Sequence, residues 1–166
     1  MAVATEQLDR SLQSSASVDI RRICFVCTGN TCRSPMAAAV ANAQAQKTGQ
    51  ALLAFSAGLY AVEGMPISSN AVLALENAEI APAKGLDYHS HVAHTLTEAE
   101  AAGFDLLIPM TRAHAMELIL RYPQVASKIY CLPTEISDPY GGDLRVYEKC
   151  LSEIAEGVCS LLNREV

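Results

Sequence analysis

Cys27 and Arg33 stand six positions apart, joined by Thr28-Gly29-Asn30-Thr31-Cys32 and followed by Ser34 and Pro35. A loop that passes from a strand into a helix turns its backbone N–H groups toward one concave spot. That spot lies at the positive end of the helix dipole and binds an oxyanion such as phosphate. Gly29 removes the Cβ that would crowd a left-handed turn, and Asn30 is the next-best residue type for one. Cys27 opens the loop, where the same field favours the nucleophilic thiolate. Arg33 closes it with a planar fork that matches two phosphate oxygens. An arginine facing the positive end of a helix dipole calls for an anion to pair it. Ser34 can donate a hydroxyl hydrogen bond to the sulfur and help it leave later. Taken singly, Cys27 reads as a small buried hydrophobe at a strand end. Together with Gly29, Asn30, Arg33, Ser34 and Pro35, it reads as a nucleophile and an anion clamp in one turn.

The elements that must position this loop follow from periodicity. Arg21–Val26 is a short β-rich run leading into the loop, and Ser34-Pro35 opens an Ala-rich helix to Lys47, closed by Gly49. Ala51–Ser56 reads as a second strand, followed by a loop through Gly58, Gly64 and Pro66 and a helix over Ser68–Ala78. His89–His94 reads as irregular. Thr97 three residues ahead of Glu100 is a capping-box pattern for a short helix. Asp105–Met110 is a strand buried on both faces, to judge by Leu106, Leu107 and Ile108. A helix over Arg112–Tyr122 places Ala115, Leu118, Ile119 and Tyr122 on one face. Ser127–Leu132 reads as a fourth strand. The final helix, Leu144–Leu162, stacks Tyr147, Leu151, Ile154, Val158 and Leu161 in a stripe. Strands alternating with helices imply an α/β domain with a mostly parallel sheet covered on both faces.

The chain has 166 residues, enough for one domain with a real core. Residues 1–20 form a polar extension with no apolar h-region, unlike a signal peptide; residues 21–166 form the single domain. No apolar run approaches the roughly 18–20 residues of a membrane span. The net charge of −6 and the lack of a basic stripe argue against nucleic-acid or anionic-membrane partners. Six cysteines with no secretory signal point to thiols in a reducing compartment, hence a cytoplasmic location. Cys24 and Cys27 form a C-x-x-C, but on a strand they face opposite sides, so neither metal nor dithiol geometry follows. Cys131, Cys150 and Cys159 are expected in the core. His89, His91, His94 and His114 are expected as surface or packing residues, with no metal site.

The run Val26-Cys27-Thr28-Gly29-Asn30-Thr31-Cys32-Arg33-Ser34-Pro35 resembles the signature of the low-molecular-weight protein tyrosine phosphatase family. Asp138-Pro139-Tyr140 resembles its general-acid loop, and Ser56-Ala57-Gly58 also matches. The resemblance runs from about Arg21 to the end. It implies a three-layer, flavodoxin-like fold with a four-stranded parallel sheet and a site at the C-terminal edge of the strands. It implies Cys27, Arg33 and Asp138 as catalytic residues, with a phospho-cysteine intermediate and no metal or cofactor. Thr28, Gly29, Asn30, Thr31, Cys32, Ser34 and Tyr140 are implied as substrate-binding residues. Read by itself, Asp138 before Pro139 is a turn starter. The family also implies a reversible disulfide between Cys27 and Cys32.

Thr31 stands where tyrosine-specific members carry an aliphatic residue, and it resembles the protein arginine phosphatase branch. Gly141-Gly142 after Tyr140 resembles that branch too. The expected partner is therefore a phosphorylated protein bearing phosphoarginine, with phosphotyrosine the alternative if Thr31 is a tolerated variant. An arsenate reductase would need a downstream cysteine pair, and Gly58–Met110 contains no cysteine. A non-enzymatic phosphate-binding module would not require Cys27, Arg33 and Asp138 together. The oligomeric state is not indicated by any motif.

Overall fold

The computed structural model describes residues 21–164; the polar extension over residues 1–20 lies outside them. The central strand β1 (Arg22–Cys27) is buried from Ile23 onward. Parallel neighbours flank it, β2 (Leu53–Gly58) on one side and β3 (Leu106–Pro109) on the other, in the order β2-β1-β3. The register aligns Cys27 with Gly58 and Val26 with Pro109, so all three strands end at one edge.

Side chains alternate across a strand, and β1 feeds two cores. Ile23, Phe25 and Cys27 pack with α1 (Arg33–Thr48), α2 (Ser69–Asn77) and α5 (Leu144–Leu162). Cys24 and Val26 point the other way, toward α3 (Glu98–Gly103) and α4 (Arg112–Arg121). The two cysteines of the C-x-x-C thus belong to opposite cores, and burial pushes the Cys24 thiol up. The result is a three-layer α/β fold. Among the described residues no helix is long and apolar enough to cross a membrane.

Local chemistry explains most boundaries. The alanines of α1 allow close approach to the sheet, and Gly49 ends the helix in the left-handed region at φ 70°. Asn42, buried in α1, accepts the N–H of Ala54 and donates to its carbonyl, both at 2.8 Å, which fastens the outer strand β2 to the helix. Thr97 and Glu100 form the expected capping box at α3. The stripe of α5, Tyr147 through Leu161, is buried as its spacing requires.

Four expectations are corrected. The fourth strand is reduced to one parallel bridge, Leu107 to Ile129, with the Tyr130 N–H on the Leu107 carbonyl at 2.9 Å. Pro123 starts a 3-10 helix that takes up Ser127 and Lys128, and Pro133 has no N–H with which to extend a ladder. The second strand runs two residues later than expected, so Gly58 is a strand residue rather than part of a loop. Cys131 and Cys159 are exposed, not core; Cys150 is buried, and burial pushes its thiol up to about 12. Ile119 is 37% exposed at the margin of its helix face, while Ala115 and Leu118 are buried.

Candidate active site

The loop between β1 and α1 folds around its own sulfur. Cys27 Sγ lies 3.0 Å from Ser34 Oγ and accepts the Asn30 N–H at 3.3 Å. Asn30 sits in the left-handed region at φ 57°, a conformation its short polar side chain tolerates. That side chain is fully buried and fully engaged. Its amide donates to Ser34 Oγ at 2.9 Å and Ser56 Oγ at 3.0 Å, and its oxygen accepts the His94 N–H at 3.1 Å. The Asn30 carbonyl lies 2.8 Å from His91 Nε2. Burial lowers the pKa of His91 while this bond works against the shift.

The neighbouring strand end makes room for the loop. A Cβ on Gly58 would lie 2.6 Å from the Thr28 carbonyl, so only glycine lets the loop cross β2 at this distance. The Leu59 and Tyr60 N–H groups then donate to the Cys27 and Thr28 carbonyls at 2.9 and 3.0 Å. The Ser68 N–H holds the Thr31 carbonyl at 2.9 Å. No side chain caps α1 at Cys32, which leaves the first-turn amides to the concave side of the loop.

Arg33 is buried, and its Nη1 donates to the Ile136 carbonyl at 3.1 Å. Its Nη2 lies 3.5 Å from Asp138 Oδ2, and the Asp138 side chain is 55% exposed. The Ile136 N–H donates to the Met110 carbonyl beyond β3 at 2.9 Å, which brings this distant segment to the strand edge. Asp138 Oδ1 accepts the Tyr140 N–H at 3.1 Å and orders the turn. A cavity of about 220 Å³ is lined by the loop from Cys27 to Arg33 together with Asp138 and Tyr140. Ser34 lies behind it, against the Cys27 sulfur.

Three contributors were not among the expected site residues. His91 and Tyr147 reach the loop from far along the chain. The Tyr147 hydroxyl accepts from Ser68 at 3.2 Å and lies 3.2 Å from Cys32 Sγ. Burial, then the Cys32 contact, pushes the tyrosine up to about 12. His114 bridges Thr28 and Thr111, its ring nitrogens 2.9 and 3.0 Å from the two hydroxyls. Burial and then the Arg33 charge lower it to about 4. The available signal was Thr111 three residues ahead of His114, an N-cap pattern at the edge where β3 ends.

Residues 22–166 match the family described as low molecular weight phosphotyrosine protein phosphatase. A protein-arginine-phosphatase of Bacillus subtilis (strain 168) is 33% identical over 141 residues, covering 81% of this chain and 89% of that protein. A solved low molecular weight protein tyrosine phosphatase from T. tengcongensis superposes with a TM-score of 0.78 at 39% identity. That match covers 86% of this chain and 97% of the other. The YwlE arginine phosphatase, solved as a mutant with a phosphorylated active-site serine, gives a TM-score of 0.77 at 32% identity, covering 84% and 92%. The family match along nearly the whole described chain and these relatives agree: the chain belongs to the low molecular weight phosphotyrosine protein phosphatase family and is a cysteine-based protein phosphatase.

Proposed function

We propose that the chain hydrolyses phosphoarginine on proteins, with Cys27 as the nucleophile. The observation that carries this reading is Thr31, a small hydroxyl-bearing side chain half-buried on the cavity wall; by the family resemblance, tyrosine-specific members usually carry an aliphatic residue there. Asp138 lines the same cavity, where its carboxyl group can hydrogen-bond the guanidine N–H groups of phosphoarginine, donors that a phenyl phosphate lacks. Tyr140 is 81% exposed and is followed by Gly141-Gly142, so one open aromatic side chain borders the entrance.

In this reading Cys27 Sγ attacks phosphorus in line, and the P–N bond breaks as Asp138 protonates the departing guanidine nitrogen. Loop amides and the remaining Arg33 N–H groups hold the equatorial oxygens. Water then attacks the phospho-cysteine, with Asp138 taking its proton and Ser34 donating to the leaving thiolate.

The second reading is a phosphotyrosine phosphatase. It is favoured by the 39% identity to a structure described as a tyrosine phosphatase. Hydrolysis of phosphoarginine and phosphotyrosine peptides side by side, for wild type and Thr31→Ile, separates the two. Arginine preference that weakens at least tenfold in Thr31→Ile is the expected result. Tyrosine preference in the wild type overturns the arginine reading.

A further inference from the structure

One hydroxyl of the phosphate loop is held from outside the loop. Thr28 Oγ1 lies 2.9 Å from His114 Nε2, and His114 Nδ1 lies 3.0 Å from Thr111 Oγ1. Thr111 Oγ1 also accepts the backbone N–H of His114 at 3.2 Å, as the cap of α4. A hydroxyl carries a single proton. The Thr111 oxygen accepts that amide with one lone pair, and its proton can point at Nδ1. His114 is 8% exposed and lies near the Arg33 charge, so the ring is uncharged and carries one hydrogen. In the tautomer with that hydrogen on Nε2, the ring donates to Thr28 and accepts from Thr111. The Thr28 proton is then uncommitted, since among the described residues its hydroxyl makes no second hydrogen bond. Thr28 is exposed on the cavity wall, between the candidate nucleophile and Gly29.

We propose that His114 is a positioning residue that engages the Thr28 oxygen from behind, so that the Thr28 hydroxyl donates its proton to a phosphoryl oxygen during transfer. The inference rests on the Cys27 loop being the site of phosphoryl transfer. Threonine is stiff at χ1, and the imidazole fixes the well. A donor so held meets the charge that develops in the transition state without reorganising, so its effect falls on kcat.

The tautomer is tested on the wild-type protein by nitrogen-15 NMR at neutral pH, with and without inorganic phosphate. The Nε2–H form is expected, with its resonance shifting as phosphate binds. The Nδ1–H form, or a resonance that phosphate leaves unmoved, overturns the proposal. In kinetics with a small aryl phosphate, Thr28→Val and His114→Leu each lower kcat about tenfold with KM changed less than twofold. The double variant loses no more than either single one, and Thr28→Ser and His114→Gln recover activity. Wild-type kcat in Thr28→Val, or multiplied losses in the double variant, overturns it. Cys27→Ser separates the two levels of the argument. Retained turnover there removes the site reading itself. A dead Cys27→Ser beside a fully active Thr28→Val removes only the role given to Thr28 and His114. Where a variant does not fold, the wild-type tautomer measurement decides.

Discussion

Asn30 concentrates more of the site's geometry than any other residue of the loop. Its amide serves two hydroxyls, its oxygen takes a backbone N–H, and its φ of 57° turns the chain so that its own N–H meets the Cys27 sulfur. Asn30→Ala is therefore expected to destabilise by about 2–4 kcal/mol, the sum of lost bonds and a left-handed alanine. Urea denaturation measures the loss, and a variant within 0.5 kcal/mol (about the size of a neutral surface change) would contradict it. Cys27 and Cys32 supply a second prediction. Mild peroxide should oxidise the Cys27 sulfur to a sulfenic acid; the Cys32 sulfur then attacks it, forming the S–S bond as the S–O bond breaks and the hydroxyl leaves as water. Peptide mapping should recover that bridge, and recovery of sulfinic or sulfonic Cys27 alone would count against it. The loop was legible in the sequence because its parts are contiguous: nucleophile, turn formers and clamp follow one another. His91, Tyr147 and His114 were not, because each reaches the loop from a distant segment whose local sequence speaks only of packing or of irregular chain.

At the scale of elements, the site depends on how closely β2 lets the loop pass. Gly58→Ala would place a methyl 2.6 Å from the Thr28 carbonyl, a main-chain atom that cannot rotate away. The expected cost is about 1–3 kcal/mol, and kcat should fall more than KM rises, because the loop rather than the entrance is displaced. Crystallography of the variant would show the loop shifted; an unmoved loop at full activity would contradict the claim. Helices and central strands were legible from period and caps, as at Thr97 and Gly49. The fourth strand was not, because the apolar run within Ser127–Leu132 could not show that a 3-10 turn begun at Pro123 uses the segment's first residues. The exposed Cys131 and Cys159 were misplaced by the residue type's general preference for burial.

For the whole molecule, His114 gives folding a pH dependence. Its folded pKa of about 4 lies below the ordinary 6.5, so between these values the unfolded chain binds a proton that the folded chain does not. Stability is fully present above about pH 6.5 and is lost as pH falls toward 4. Arg33 disfavours the charged ring, while Asp138 and Glu135 partly offset that effect. The loss should be on the order of 2 kcal/mol across the window. His89, paired with Glu76 and Asp87, has a raised pKa and contributes in the opposite sense, its stabilisation present at low pH and lost as pH rises. Comparing urea midpoints of wild type and His114→Gln at pH 7 and pH 4.5 cancels that contribution. The wild type should lose more than the variant; parallel losses would contradict the assignment.

The Asn42 clip on Ala54 has a consequence for the protein in a crowded solution. β2 is the outermost strand of its sheet, and an outer strand ordinarily offers main-chain groups on which another polypeptide can template itself. Here Ala54 already has both groups taken by a side chain. Gly58 is likewise closed, its N–H on His94 and its carbonyl under Leu96, both at 2.9 Å. An incoming strand finds no continuous ladder to join, so the rim beside the active site resists fibril-like recruitment without a charged or proline-studded border.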